Sequence, residues 1–103
     1  MTTSDDKDIF PVLMERQVKF QPSSGEELVN IVIQIGYPKW TEPNIEASCP
    51  VAFRGGIGRV RDIRGADPIN AMKLAISFVE LYMQRDKDEG KFFWNDGEEY
   101  LEG

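Results

Sequence analysis

The sequence predicts an α+β fold, in which a four- or five-stranded, mainly antiparallel sheet carries one long helix packed across one face. Three observations lead to this expectation. The segment from Leu28 to Gly36 has a period of two and is rich in β-branched residues, and a period of two is typical of a half-buried strand. Shorter apolar segments separated by turn-forming residues predict hairpins. A long segment from Asp67 to about Arg85 has the capping residues and apolar composition of a helix.

The first hairpin is predicted at residues 12–36. Imperfect alternation from Val12 to Phe20 indicates one strand, and the turn formers in Gln21–Glu27 end it. In the second strand the β-branched residues recur on one face. The residues on that face are Val29, Ile31, Ile33 and Ile35, and those on the other face are Leu28, Asn30, Val32 and Gln34.

A loop and a second hairpin follow. The segment Tyr37–Ser48 contains two prolines and no periodicity, so it predicts a loop. Cys49–Phe53 and Arg59–Arg64 predict two strands joined by a glycine-rich turn. Strict alternation would point Val60 towards the core and Ile63 to the opposite face, unless a bulge or an early end of the strand intervenes.

The helix is predicted to begin at Asp67, which is a suitable N-cap, with Pro68 in the first helical position. It should run to about Arg85, and Gly90 marks the break after it. Phe92–Trp94 predicts a last short strand, followed by a turn at Asn95–Gly97.

This helix is apolar over much more of its circumference than an ordinary surface helix. Its polar residues form one narrow stripe, which consists of Asn70, Lys73, Ser77, Glu80 and Gln84. Because a sheet covers only one side of a helix, the flanks need other cover. We expect it from the chain's own loops and C-terminal aromatic residues, or from another subunit or a partner.

The length of 103 residues predicts one domain. We expect residues 1–9 to be a disordered acidic tail, residues 10–97 to form the domain, and residues 98–103 to be an acidic C-terminal tail. No apolar run is long enough to cross a bilayer, and the N-terminus lacks the apolar core of a secretory signal. These features, with a single cysteine, predict a cytoplasmic protein that does not contact membranes.

The residues that most enzymes and metal sites need are missing. There is no histidine and one cysteine, so a Cys/His zinc site is impossible within the chain, and Cys49 has no histidine base. The glycine run before Arg59 lacks both the Lys-Ser/Thr pair of a phosphate-binding loop and a helix directly after it. The sequence therefore predicts no enzyme, no cofactor and no metal.

The candidate binding residues are four arginines in an acidic chain of net charge −6, and two tryptophans that are candidates for stacking on bases. They are Arg54, Arg59, Arg61, Arg64, Trp40 and Trp94. One interpretation is a contact for an anion, a nucleic acid or an acidic partner. The other is a solvated outer face, or an edge strand guarded by charge.

Several short motifs occur together: Ile35–Pro38, Cys49–Val51, Ile63–Asp67 and Ala71–Phe78, with the Phe92–Trp94 run after them. This combination, from about Glu15 to Gly97, resembles a family of small, functionally uncharacterised bacterial domains. Some small acidic bacterial proteins of this kind are similar in size and charge to immunity proteins, which neutralise a toxin by binding it. The resemblance implies no catalytic residues.

We therefore expect a non-enzymatic protein-binding module, immunity-like or regulatory, that acts on a protein partner. A homodimer through the helix or a sheet edge is also expected. The acidic C-terminal part, with seven acidic residues and two lysines in its last eighteen positions, favours a basic partner. The alternative is anion or nucleic-acid binding through the arginine-rich hairpin 54–64.

Overall fold

A computed structural model describes residues 9–25, 27–55, 60–85 and 90–100 and shows an antiparallel sheet crossed by a helix. In chain order the elements are β1 (Val12–Pro22), β2 (Val29–Gly36), β3 (Lys39–Glu42), β4 (Glu46–Arg54), β5 (Val60–Gly65), α1 (Pro68–Arg85) and β6 (Gly90–Trp94). The predicted α+β class is confirmed.

The strands lie in the order β5, β4, β2, β1, β6, and all the pairs are antiparallel. β3 continues the line of β2 beyond Tyr37 and Pro38, and it pairs with the first part of β4. β4 therefore has β5 along one side, and β2 and β3 along the other. This arrangement makes β5 and β6 the outermost strands, and the short β3 also pairs on one side only.

The predicted first hairpin is confirmed. β1 pairs with β2 in a register that sets Val18 opposite Ile31, and the turn is closed by a hydrogen bond from Gly25 N to Pro22 O of 3.1 Å. β1 extends two residues beyond its predicted end at Phe20. The predicted inward face of β2 is buried from Ile31 onwards, whereas Val29 at its start is exposed.

The prediction of a loop at Tyr37–Ser48 is wrong, because this segment holds β3 and the start of β4. All four residues of β3 are exposed, so no alternation of apolar and polar residues reveals it. The tight turn between the strands places Asn44 at φ 64° and is closed by a hydrogen bond from Ile45 N to Glu42 O of 2.9 Å.

The two strands of the predicted second hairpin are confirmed, whereas its glycine-rich turn lies outside the described residues. The directions of its inner residues are reversed. Ile63 lies opposite the fully buried Cys49 and packs against the core. Val60 lies opposite Ala52 and points to the other face of the sheet. Pairing with β4 sets this register. Because β5 has only two apolar residues among its charged ones, its own sequence pattern does not show which face is buried.

The helix starts where the sequence predicts. The side chain of Asp67 accepts a hydrogen bond of 2.7 Å from Asn70 N, and the side chain of Asn70 accepts one of 2.8 Å from Ala66 N. These two reciprocal bonds satisfy backbone donors at the helix start. The helix then continues to Arg85, as predicted.

The core lies between α1 and one face of the sheet, which we call the helix face; the opposite face is the open face. From the helix, Ala71, Ala75, Val79 and Met83 are buried. Phe53 contacts Tyr82 with ring centroids 4.1 Å apart, and Phe92 closes the aromatic group at 5.7 Å from Tyr82.

The predicted last strand and turn are confirmed, and the chain then returns along the outer side of β6. Trp94 N donates to Glu98 O at 2.7 Å, and Tyr100 N donates to Phe92 O at 2.8 Å. The contacts thus continue to Tyr100, three residues beyond Gly97, the predicted end of the domain. The outer edge of β6 is consequently covered from Phe92 to Trp94.

Candidate functional site

The flanks of α1 remain partly uncovered in the described part of the chain. Four large apolar side chains on the helix are exposed: Ile69 (81%), Leu74 (41%), Ile76 (40%) and Leu81 (54%). Their positions at 100° per residue place Ile69 and Ile76 on one side of the polar stripe and the two leucines on the other. The helix therefore has two exposed apolar stripes.

The stripe that contains Ile76 borders a depression on the helix face. Here α1 packs mainly on β4 and β5, so it leaves the start of β1 and the end of β2 uncovered. The floor is formed by Met14, Ile33, Ile35 and Val79, and the depression has a volume of about 160 Å³. Its lining is mostly apolar.

A second depression adjoins the first at Ile76. Pro38 forms its wall on the sheet side, and Ile69 and Met72 line it on the helix side. Its volume is about 430 Å³, and it is open to solvent. We call the two depressions together the helix-flank groove; Met14, Ile76 and Ile69 mark its course.

A polar cluster closes the groove at the end towards β6. The Arg16 guanidinium lies 3.1 Å from Glu80 Oε2 and 5.1 Å from the centre of the Trp94 ring. The hydroxyl of Tyr100 donates a hydrogen bond of 2.6 Å to the other carboxylate oxygen of Glu80. The cluster thereby ties β1, α1 and the C-terminal segment together.

These contacts shift the acidity of Glu80. The hydrogen bond from Tyr100 lowers the pKa of the Glu80 carboxyl, partial burial opposes that shift, and the charge and hydrogen bond of Arg16 lower it further. The net effect is a pKa below the ordinary carboxyl value. Glu80 is therefore held as a carboxylate at neutral pH.

The structure places the predicted arginines at separate positions. Arg54 and Arg64 lie on the open face, opposite Val32 and Ser48, and Arg61 lies on the helix face, opposite Val51. The strand positions of Ser48 and Arg54 are six residues apart on β4, so the two open-face arginines are about 20 Å apart along the sheet. Arg59 lies outside the described residues.

Their immediate surroundings also differ. The Nε of Arg54 donates to Gln34 Oε1 at 3.1 Å, and its guanidinium lies 5.6 Å from the centre of the Phe10 ring. Arg64 forms an ion pair of 3.1 Å with Glu46. Arg61 is exposed, and no ion pair links it to the described residues.

The two predicted tryptophans lie far apart in the sheet. Trp40 is 41% exposed and lies on the helix face of β3, opposite Ala47. Trp94 is half-buried in β6, where its ring packs against Tyr100 at 5.3 Å between centroids and lies beneath Arg16. Trp40 is therefore the more exposed of the two.

Cys49 is buried, and its Sγ lies 3.4 Å from Gly36 O. Burial, with a smaller contribution from the charge of Asp62, raises the pKa of this thiol. Within the described ranges no group of three or more His, Cys, Asp or Glu side chains is arranged to hold a metal ion. Nor is any helix among these residues long and apolar enough to cross a bilayer.

Sequence reasoning did not assign the helix-flank groove to particular residues. The wide apolar surface of the helix was a signal for it. One sheet cannot cover that whole surface, so side chains such as Ile69 and Ile76 were left without cover. The role of Met14 and Arg16 depends on a contact between β1 and a helix more than sixty residues later in the chain, which local patterns cannot reveal.

Comparisons with models of protein families, with curated proteins and with solved structures find no match to this chain.

Proposed function

We propose that this chain is a non-enzymatic protein-binding module that holds an apolar segment of a basic partner protein in the helix-flank groove. The observation that carries the proposal is the exposed apolar stripe of α1 beside an uncovered part of the sheet. Ile69, in the first turn of the helix, is 81% exposed, and Ile76, seven residues later, is 40% exposed. Exposed, contiguous apolar surface is typical of protein interaction sites.

The size of the groove favours side chains over a small-molecule ligand. The second depression, of about 430 Å³, is open to solvent, and the first, of about 160 Å³, is below the roughly 300 Å³ at which small-molecule pockets begin. A pocket of this size suits one or two aliphatic or aromatic anchors of a protein partner. Full burial of one such side chain contributes about 1.5–3 kcal/mol.

The charge of the chain favours a basic partner. The net charge is −6, and a field of one sign speeds the association of a partner of the opposite sign. In this account the charge steers the encounter, while the groove supplies the contact. Neutralisation of a basic toxin, as by the immunity proteins that the chain resembles in size and charge, is one form of this function.

The test starts from a partner isolated with the intact chain and then purified. Its affinity is measured by calorimetry for the wild type, for Ile69→Asp and for Ile45→Asp. Ile45 is 64% exposed in the β3–β4 turn and lines neither depression, so it is the matched control. An acidic residue in the first helical turn is favourable for the helix, so Ile69→Asp should fold.

We expect Ile69→Asp to weaken binding about tenfold or more, through the lost apolar contact. Ile45→Asp should bind like the wild type. A partner that binds both variants equally well would show that the groove is not its site.

The alternative function is anion or nucleic-acid binding through the arginine hairpin. It draws support from Arg61, which is exposed and has no ion-pair partner in the described ranges. It draws less from Arg54 and Arg64, which lie far apart and have partners of their own. Salt-sensitive binding of RNA or DNA in a mobility-shift assay, abolished by Arg61→Glu, would favour this alternative.

A further inference from the structure

We propose that β5 is a homodimer interface, at which two copies of this chain pair antiparallel, edge to edge, about a twofold axis at Ile63. This inference is independent of the helix-flank groove, which lies on the other side of α1.

The outer sides of β5 and β6 differ in whether another segment of the chain covers them. The outer side of β6 is covered by the return of the chain, through the hydrogen bonds that Glu98 O and Tyr100 N make. In contrast, no described segment pairs with the outer side of β5, which pairs with β4 alone. An uncovered edge presents a row of free backbone donors and acceptors that another strand can pair with.

The charges on β5 are complementary to themselves in one register. In an antiparallel pair, each step forward along one strand is a step back along the other. If Ile63 lies opposite Ile63 of the second copy, Asp62 lies opposite Arg64 of the second copy, and the reciprocal pair forms as well. Both side chains lie on the open face, as their partners Pro50 and Ser48 on β4 indicate.

Both charged residues are available for these pairs. Asp62 is exposed and has no ion-pair or hydrogen-bond partner within the described ranges. Arg64 pairs with Glu46, but its side chain is 69% exposed. A surface pair of this kind contributes little by itself, so the guanidinium is free to contact a second carboxylate.

On the helix face, apolar side chains of α1 near the β5 edge can contact the second copy. Ile76 and Val79 face β1 and β2, so the opposite flank of the helix, with Leu74 and Leu81, faces the β5 side. Because α1 packs mainly on β4 and β5, each helix axis lies about one strand spacing, roughly 5 Å, from the proposed twofold axis. The two helices would then be about 10 Å apart, which is an ordinary packing distance.

Sedimentation equilibrium tests the proposal. It is measured for the wild type, for Asp62→Arg, for Arg64→Asp and for the double variant that carries both changes. We expect a dimer for the wild type. Each single change places like charges opposite each other twice and should raise the dissociation constant about tenfold or more. The double variant restores opposite charges in the same register, so it should recover the dimer.

A wild type that is monomeric at high micromolar concentration would overturn the proposal. So would a double variant that dissociates as readily as the single ones, because the register would then be wrong. Dissociation by Ile69→Asp with the β5 variants still dimeric would place the interface at the groove instead. Circular dichroism checks that each variant is folded. We expect this because the substituted residues are exposed.

Discussion

At the scale of single residues, Arg16 connects β1 to the helix and to β6. It makes an ion pair with Glu80 of the helix and lies over the ring of Trp94 in β6. Tyr100 completes the arrangement by donating to the same carboxylate. These contacts hold the C-terminal segment against the helix and define one end of the groove.

We expect Glu80→Gln to lower the free energy of unfolding at neutral pH by up to about 1 kcal/mol, because the ion pair is partly exposed. The folded pKa of Glu80 lies below its unfolded value. Its contribution is therefore complete above the unfolded pKa and is lost as the pH falls through the folded pKa.

Urea unfolding of both proteins at a series of pH values measures this effect. The difference between the wild type and Glu80→Gln should shrink as the solution becomes acidic. A difference that stays constant down to low pH would mean that the carboxylate charge does not stabilise the fold.

Cys49 should be protected from thiol reagents in the folded protein. Its side chain is fully buried on β4, and burial raises the pKa of the thiol, so little thiolate is present at neutral pH. Alkylation by iodoacetamide should be slow in buffer and fast in denaturant. Equal rates in the two conditions would contradict the burial of β4.

At the scale of elements, the start of α1 shows how one residue fixes a boundary. Asp67 accepts a hydrogen bond from Asn70 N, and Pro68 occupies the first helical position. We expect Asp67→Ala to lower the free energy of unfolding by about 1 kcal/mol, because a backbone donor loses its acceptor. Asp67→Asn keeps an acceptor and should stay close to the wild type.

Urea unfolding of the two variants measures the difference. If Asp67→Asn were destabilised as much as Asp67→Ala, the charge and not the hydrogen bond would be the stabilising feature.

The elements that the sequence predicted well are those with strong local signals. The helix has a cap and a long apolar segment, and β2 has a clear period of two. β3 was not predictable in this way, because its four residues are all exposed and Pro38 and Pro43 flank it. Its pairing with β4 is the reason that it forms a strand.

β5 illustrates a second limit. Its register is set by β4, which places Ile63 opposite Cys49. Alternation within a strand of six residues, three of which are charged, does not show which face is buried. For the same reason the sequence grouped the arginines, whereas the register places Arg61 on one face and Arg64 on the other.

At the scale of the whole molecule, one helix crosses a sheet that is wider than the helix can cover. The apolar surface left at the start of β1 and the end of β2 meets the exposed stripe of α1 at Ile76. The sequence predicted that the helix flanks would need other cover. The place of that surface depends on the position of α1 across the sheet, which is a long-range property of the fold.

Two surfaces result, and each has its own proposed occupant. The helix-flank groove is assigned to a basic partner protein, and the outer edge of β5 to a second copy of the chain. Because they lie on opposite sides of the helix, we expect that one chain can make both contacts.

The decisive measurement for the helix-flank groove is the affinity of a purified partner for Ile69→Asp, compared with its affinity for the wild type and for Ile45→Asp. We expect Ile69→Asp to weaken binding about tenfold or more and Ile45→Asp to leave it unchanged. Equal affinities for all three, with loss of binding in Arg61→Glu, would show that the partner does not bind in the groove and that its site is at β5.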